Sequence, residues 1–353
     1  MIKVDDATKR EGWSTKEILK QACLHGNMFI AKRILKKTMY NTSSYLGYAC
    51  EGGNRDIVNL MIDRAGPQRG ADYWNYGIEG ACKGGHLDMA MLMIKRGADN
   101  WNIGLEGACR GGHFDLVIMM IDRGANNWNT SLEGACEGGN HNIVNLMIER
   151  GADNWNGGLE GACGGGHRDL AMLMIERGAD DWNMGLGGAC FGGHLDLVNL
   201  MIERGATGWN GGLWGACFGG QLDLAMLMIG KGADDLNRSF NGACEGGHID
   251  LVKFIINKYG LQGGSDDWND GLFYACLGGQ IDLAMLMIGK GANNWDWGLA
   301  GACEEGHLDM AILMIERGAS DWNRGLKCAH NGGHHDLMNL MIQHGATNKA
   351  DMV

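Results

Sequence analysis

The chain has 353 residues and is acidic, with 30 Lys and Arg residues against 42 Asp and Glu residues. The charge is uneven, because residues 1–40 carry a net charge of +5 and the remaining residues carry −17. A long acidic body predicts that nucleic acid is not a partner, since binding along a phosphate backbone needs a basic surface.

The chain is expected to begin with a leader over residues 1–14 and to end with a tail over residues 348–353. The leader has no apolar segment of signal-peptide length. The longest apolar runs elsewhere, such as residues 224–229, are too short to span a bilayer. We therefore expect an intracellular protein that is neither secreted nor bound to a membrane.

Residues 15–347 repeat with a period of 27, interrupted near Ala65–Arg69 and Tyr259–Ser265 by five-residue insertions. Such a period predicts one solenoid of twelve repeats, in which each unit buries its apolar face against its neighbours. The first repeat (Glu17–Lys37) and the last, which starts at Trp322, depart from the pattern and are expected to be end caps. A cysteine marks the period in every repeat but the last, at Cys23, Cys50, Cys82, Cys109, Cys136, Cys163, Cys190, Cys217, Cys244, Cys276 and Cys303.

The cysteine spacing predicts free thiols and not disulfides. Equivalent residues in stacked repeats lie about 8–10 Å apart, the distance between packed helices. A disulfide needs Cα atoms within about 7 Å of each other. We therefore expect reduced cysteines that pack as small, buried apolar residues, as is usual inside cells.

The sequence of each repeat predicts two short helices joined by a Gly-Gly-His turn. In the first helix Leu159, Ala162 and Cys163 show the i, i+3, i+4 spacing of one buried stripe. The second helix, as in RDLAMLMIERG over residues 168–178, has an aspartate near its start and ends at a glycine. The asparagine after the tryptophan, as in Asn156, is expected to be the N-cap of the first helix.

The order Leu-x-x-Ala-small-x-x-Gly-His-x-Asp-Leu-(Ala/Val)-x-x-Leu-Ile-x-x-Gly-Ala-Asp resembles the ankyrin repeat over about residues 15–347. The unit carries x-Gly-Leu-Glu in place of Thr-Pro-Leu-His, and it is six residues short where ankyrins carry a β-hairpin. It is therefore similar to the shortened ankyrin-type repeats of giant DNA viruses of the marseillevirus kind. The resemblance implies an all-α, ankyrin-like helix-turn-helix solenoid without the usual β-hairpins. It also implies a scaffold without catalysis, in the host cytoplasm or nucleus if the chain is viral.

A histidine and a tryptophan recur in most repeats, and each allows a chemical and a structural interpretation. The histidines offer one imidazole per repeat, about 10 Å apart, whereas metal bonds are about 2 Å long, so we expect turn residues and no metal site. The tryptophans are expected to pack in the space left by the missing hairpin, with a stacking platform for bases or sugars as the alternative. The chain has no P-loop, dinucleotide-binding fingerprint, HExxH or CxxC motif, and we expect no cofactor.

Two positions of the first helix differ freely between repeats, and they lie seven and three residues before the histidine. They are four residues apart and so share one face, which by the ankyrin resemblance lines a concave groove. In repeats three to six the first position carries an acidic row: Glu79, Glu106, Glu133 and Glu160. In repeats seven to ten the two positions carry the large apolar residues Phe191, Trp214, Phe218, Phe273 and Leu277.

Large apolar residues that are close together and exposed mark binding sites, so these nine residues are the candidate protein-binding residues. Two alternatives stay open: the rings fill gaps between glycine-rich helices, and the acidic row is a solvated face. The function expected is that of a non-enzymatic intracellular scaffold that binds a host or viral protein. The alternative is a structural protein that self-associates or belongs to a virion, and the sequence sets no oligomeric state.

Overall fold

The computed structural model describes residues 15–36, 43–65, 70–259 and 265–347. The expected leader and tail, and most of the two insertions, lie outside these residues. The described residues form 24 α-helices and no strand. The prediction of an all-α repeat fold without β-hairpins is therefore confirmed.

Every repeat contains a first and a second helix. The first helices are α1 (Thr15–Leu24), α3 (Ser43–Glu51), α5 (Ala71–Gly84), α7 (Trp101–Gly111), α9 (Trp128–Glu137), α11 (Trp155–Gly165), α13 (Trp182–Gly192), α15 (Trp209–Phe218), α17 (Leu236–Gly246), α19 (Ser265–Leu277), α21 (Trp295–Glu304) and α23 (Trp322–Asn331). The second helices are α2 (Met28–Leu35), α4 (Arg55–Ala65), α6 (Leu87–Arg96), α8 (Phe114–Asp122), α10 (His141–Glu149), α12 (Arg168–Arg177), α14 (Leu195–Glu203), α16 (Leu222–Gly230), α18 (Ile249–Tyr259), α20 (Ile281–Lys290), α22 (Leu308–Arg317) and α24 (His335–Gln343).

The described helices belong to two compact units. The first unit holds the described residues up to Ala189 together with Asp196–Ala206, and the second holds Cys190–Leu195 and the described residues from Thr207 onward. Inside each unit a first helix packs against its own second helix and against the first helices of neighbouring repeats. Each unit is therefore a helix-turn-helix solenoid in which contacts join near neighbours in the sequence.

The buried stripe of the first helix forms the core of each repeat. Leu159, Ala162 and Cys163 have no solvent exposure, as predicted from their spacing. Met174 of the second helix is equally buried, and its Sδ atom lies 2.5 Å from where a Cβ atom on Gly158 would stand. The long thioether therefore fills the space that this glycine leaves open.

Neighbouring first helices approach so closely that their backbones nearly touch. A Cβ atom on Gly165 of α11 would lie 2.1 Å from the carbonyl oxygen of Glu137 in α9. No side chain fits in that space, which explains why a glycine stands inside a helix despite its cost of about 1 kcal/mol relative to alanine. Tight backbone contact therefore holds successive repeats together.

The turn between the two helices also connects each repeat to the one before it. Gly85 adopts a φ of 78°, in the left-handed region that glycine adopts most easily. The ring of His113 from the next repeat packs directly on this glycine, and its Nε2–H donates to the carbonyl oxygen of Lys83 at 3.1 Å. In repeat five Asn140 takes the same place and donates from Nδ2 to the carbonyl oxygen of Cys109 at 3.0 Å. The histidine ladder is therefore a row of bonds between repeats, in agreement with the structural interpretation.

The prediction that the asparagine after the tryptophan is the N-cap is wrong. Helix α11 begins at Trp155 itself, and its N-cap is Asn154, whose side chain accepts from Gly157 N at 3.1 Å. Asn156 lies inside the first turn, and its Oδ1 accepts from the backbone N–H groups of Asp180 and Asp181 at 2.9 and 3.0 Å. The asparagine therefore holds the next loop between repeats, where an ankyrin would place its hairpin.

Candidate functional site

The two variable positions lie on a partly exposed face of the first helices, here called the variable face. Side chains at the first position lean over a glycine of the following first helix. The Cγ atom of Glu133, for example, lies 3.3 Å from where a Cβ atom on Gly161 would stand. These residues therefore contact the next repeat and also remain accessible to a partner.

In the first unit the variable face carries the acidic row of Glu79, Glu106, Glu133 and Glu160, all half-buried. Glu106 is paired, because Arg110 Nη2 lies 3.2 Å from its Oε1 atom, and Arg110 Nε also donates to Glu137 at 2.8 Å. Arg110 therefore pairs directly with Glu106 and Glu137, and its charge also opposes the rise in the pKa of Glu79 and of Glu133.

The remaining carboxylates of the row are harder to ionise than usual. The pKa of Glu133 is raised by burial and then by the negative charge of Glu106. The pKa of Glu160 is raised by burial and by Glu133, and that of Glu79 by burial and by Glu106. The described residues provide no ion pair for Glu133 or Glu160, so repulsion along the row is not fully compensated.

In the second unit Phe191, Trp214 and Phe218 form one contiguous cluster, here called the aromatic patch. The Trp214 and Phe218 rings stack with centroids 5.3 Å apart, and Phe191 lies 5.9 Å from Phe218. Arg238 of the following repeat lies over the Trp214 ring at 5.5 Å. The structure thus brings together three of the residues that the sequence singled out.

The interpretation of these rings as gap fillers describes only part of the patch. The edge of Trp214 lies 3.1 Å from where a Cβ atom on Gly242 would stand, so this ring does cover a glycine of the next helix. The side chain of Phe191 is 44% exposed. One ring therefore covers a gap between helices while its neighbour faces solvent.

The other two apolar candidates lie further along the same unit. Phe273 packs against Trp297 with ring centroids 5.1 Å apart, and Leu277 is half-buried. Phe273 also covers Gly301 of the following first helix, whose Cβ position is 3.1 Å from its Cδ2 atom. This pair is separated from the aromatic patch by repeat nine, whose first and second variable positions hold Asn241 and Glu245.

A third variable position lies on this face, ten residues before the histidine, and it was not among the predicted site residues. It holds Arg238 and Trp297, which contact Trp214 and Phe273 respectively. The position lies three residues before the first variable position, so it shares the same side of the helix. The residue at this position differs between repeats, with Ile103, Gly157 and Arg324 in three others, and this variation could have identified it from the sequence.

Each unit also places a cation over a tryptophan ring near the loops between repeats. Arg150 lies 5.9 Å from the centroid of Trp128, and Arg177 lies 5.9 Å from that of Trp155. One face of each ring is thus covered by the chain's own cation. The same pairing recurs at Trp74/Arg96, Trp101/Arg123, Trp182/Arg204, Trp209/Lys231 and Trp268/Lys290.

The cysteines are all free, eleven of them buried and Cys328 partly exposed. Burial raises the pKa of the Cys163 thiol to about 12, so this thiol is protonated and unreactive near neutral pH. Within the described ranges, no group of three or more His, Cys, Asp or Glu side chains is placed to hold a metal ion. None of the described helices is long and apolar enough to cross a membrane.

The helix-turn-helix units define the class of this protein as an all-α helical-repeat solenoid. No protein-family model matches the chain, and no curated protein is similar to it in sequence. Among solved structures, the human ASB11 ankyrin repeat domain is similar over 44% of this chain and 84% of its own length, with 23% identity and a TM-score of 0.30. The maize pentatricopeptide repeat protein PPR10 is similar over 99% of this chain, with 13% identity and a TM-score of 0.32. This chain spans 61% of the PPR10 length.

The prediction that nucleic acid is not a partner is corrected by one of these structures. PPR10 in complex with an 18-nt psaJ RNA element is similar over 94% of this chain and 63% of its own length, with 11% identity and a TM-score of 0.30. Net charge alone therefore does not exclude nucleic acid as a partner. The physical reason is that net charge averages over the molecule, whereas cations such as Arg150 and Arg177 recur at the same place in successive repeats, each over a tryptophan ring.

Proposed function

We propose that this chain is a non-enzymatic scaffold that binds a protein partner through the variable face, with the aromatic patch as the main contact. The observation that carries the proposal is the stack of Trp214 on Phe218 beside the exposed ring of Phe191. Aromatic side chains are enriched among the residues that dominate the binding free energy of protein interfaces, and contiguous apolar patches at a surface mark binding sites. The acidic row is the second candidate surface.

The proposal also includes a location inside cells and an origin in a giant virus. Twelve free cysteines in a chain of this length are typical of proteins kept in a reducing environment, which supports a location inside cells. The 27-residue unit without a hairpin supports a kinship with the shortened ankyrin-type repeats of marseillevirus-type giant viruses. The partner is then a host or viral protein.

Site-specific photocrosslinking tests this proposal. A photoreactive phenylalanine analogue replaces Phe191 in one chain and Phe114 in a control chain, because both side chains are 44% exposed. Phe114 lies on a second helix, away from the variable face. We expect one protein to be crosslinked at position 191 and not at position 114. Equal crosslinking at both positions, or none at 191, contradicts the proposal.

A structural, self-associating protein was the alternative function expected from the sequence. One observation favours adding it to the scaffold role: the first repeat carries an exposed phenylalanine among exposed cations. This surface complements the aromatic patch in apolar character, and it complements the carboxylate of Glu245, one repeat beyond Phe218, in charge.

A further inference from the structure

The first repeat carries a surface that the other repeats lack. Phe29 is the second residue of α2, a position that holds aspartate in ten of the twelve repeats. Its side chain is 61% exposed, more than any other exposed large hydrophobic side chain of the described residues. An end cap explains polar residues at this place, but it does not explain an exposed phenylalanine.

Three cations share the surface with this ring. Lys32, Arg33 and Lys36 follow Phe29 at spacings of three, four and seven residues, so the four side chains lie on one side of the helix. All four are exposed, and no ion pair within the described part of the chain involves any of the three cations. This surface of α2, formed by Phe29, Lys32, Arg33 and Lys36, is here called the basic head.

The second unit offers the complementary surface. Glu245 occupies the second variable position of repeat nine, one repeat beyond Phe218 in the same row. It forms no ion pair with any described residue, and its pKa is raised by burial and by the charge of Glu305. A cation placed beside this carboxylate would therefore relieve an existing repulsion.

We propose that the basic head of one copy of this chain docks on the aromatic patch of a second copy. Phe29 then contacts Phe191 and Phe218, and Lys36 pairs with Glu245. The axial distance from Phe29 to Lys36 is about 10 Å in an α-helix, and neighbouring first helices lie about 8–10 Å apart. One helix laid along the stack therefore spans both contacts.

The charge distribution of the whole chain favours the same contact. Residues 1–40 carry +5 and the remainder carries −17, so the head of one copy is attracted to the body of another. Arg238 lies over the Trp214 ring at the third variable position, seven residues before Glu245 in the same helix. The incoming cations therefore approach from the side of Glu245.

The two surfaces differ, so the interface is heterologous. Each docked copy keeps a free head or a free patch, and association continues until a ring closes or a chain of copies forms. The inference deepens the proposed function, because it names an occupant for the same patch. It predicts assembly that grows with concentration and weakens in salt.

Sedimentation velocity of the purified full chain tests the inference. We expect the average mass to rise with concentration at low salt and to fall towards that of a monomer at high salt. Phe29→Asp introduces the residue that ten repeats carry at this position, and Trp214→Glu with Phe218→Glu introduces residues found at Glu133 and Glu137. Each variant is expected to weaken self-association at least about tenfold. Phe114→His introduces the residue that repeat five carries at the same position, His141, and this control should associate like the wild type.

A mixture of the two variants gives the sharpest result. The Phe29→Asp chain keeps its patch and the double variant keeps its head, so together they should form a one-to-one complex that grows no further. A wild-type chain that is monomeric at every concentration overturns the inference, as does a mixture that forms no complex. It is also overturned if a single-stranded oligoribonucleotide, and not a second copy, binds the wild type and fails to bind the double variant. In any of these cases a distinct protein crosslinked at position 191 would leave the proposed function standing.

Discussion

The thiols of the buried stripe illustrate how far a residue's chemistry is set by its neighbours. Cys136 has no solvent exposure, and its Sγ atom lies 3.6 Å from where a Cβ atom on Gly158 of the next repeat would stand. Burial raises its pKa to about 12. Cysteine here acts as a small apolar residue, and its nucleophilicity is suppressed.

Cys328 is partly exposed and the other eleven cysteines are buried. This difference in burial predicts two classes of thiol. In the native protein a thiol-reactive dye should label Cys328 first, because it alone is partly exposed, and should reach the other eleven slowly. Unfolding in denaturant without reductant should expose all twelve. Rapid labelling of several native thiols, or fewer than about ten in denaturant, would contradict the assignment of a reduced core.

His248 predicts a pH dependence of stability. Its Nε2–H donates to the carbonyl oxygen of Phe218 at 2.9 Å, and its pKa is lowered by burial, against the effect of that hydrogen bond. A histidine whose pKa is lower in the folded than in the unfolded chain binds more protons when unfolded. The contribution of His248 to the free energy of unfolding is therefore complete above the pKa of an unfolded histidine, about 6.5, and is lost as the pH falls through the pKa of His248 in the folded chain.

The matched variant is His248→Asn, because Asn140 stands at the same place in repeat five and donates to the carbonyl oxygens of Cys109 and Arg110 at 3.0 and 3.5 Å. Urea denaturation between about pH 7 and pH 5 should show a smaller loss of unfolding free energy for this variant than for the wild type. Identical pH profiles for the two chains would refute a role for His248 in this window.

At the scale of single helices, backbone contact between repeats overrides helix propensity. Gly165→Ala places a Cβ atom 2.1 Å from the Glu137 carbonyl oxygen, and overpacking of this kind costs about 1–3 kcal/mol. Gly187 stands inside α13 with no heavy atom within 4 Å of its Cβ position. Gly187→Ala should therefore stabilise the chain by up to about 1 kcal/mol. If the melting temperature moves in the same direction for both variants, backbone contact at Gly165 does not limit the stability.

The helices and the buried stripe were predictable from the sequence because they follow from the spacing of residues one or two turns apart. The role of Asn156 was not, because its acceptor oxygen bonds the N–H groups of Asp180 and Asp181, 24 and 25 residues later. A contact across that distance leaves no local pattern. The start of α11 was misplaced for the same reason, since Trp155 fits a loop or a first turn equally well.

The candidate site was also predictable only in part. Variation between repeats identified Trp214 and Phe218 correctly as neighbours on one face. It did not reveal that Trp214 lies across Gly242 and beneath Arg238, because both contacts depend on the tilt of the ring between repeats. Phe29 differs from the aspartate that ten of the twelve repeats carry at its position, but its exposure depends on its place on the outer side of α2.

For the molecule as a whole, stability should be nearly a sum over repeats and their contacts with neighbours. Deletion of the 27 residues Trp155–Asp181 joins Asn154 to Trp182 in a setting that repeats the original one. We expect the shortened chain to keep its helical circular dichroism and to unfold cooperatively with moderately lower stability. Loss of cooperative unfolding would show that contacts beyond nearest neighbours hold the fold.

Whether the aromatic patch carries the binding free energy is decided most directly by the Trp214→Glu, Phe218→Glu chain. The fold should tolerate both changes, because glutamate occupies the same positions at Glu133 and Glu137. Calorimetric titration with the protein crosslinked at position 191 should show a loss of about 2 kcal/mol or more, with an unchanged melting temperature. A folded variant that binds with wild-type affinity would contradict the claim and move the binding surface to the acidic row of Glu79, Glu106, Glu133 and Glu160.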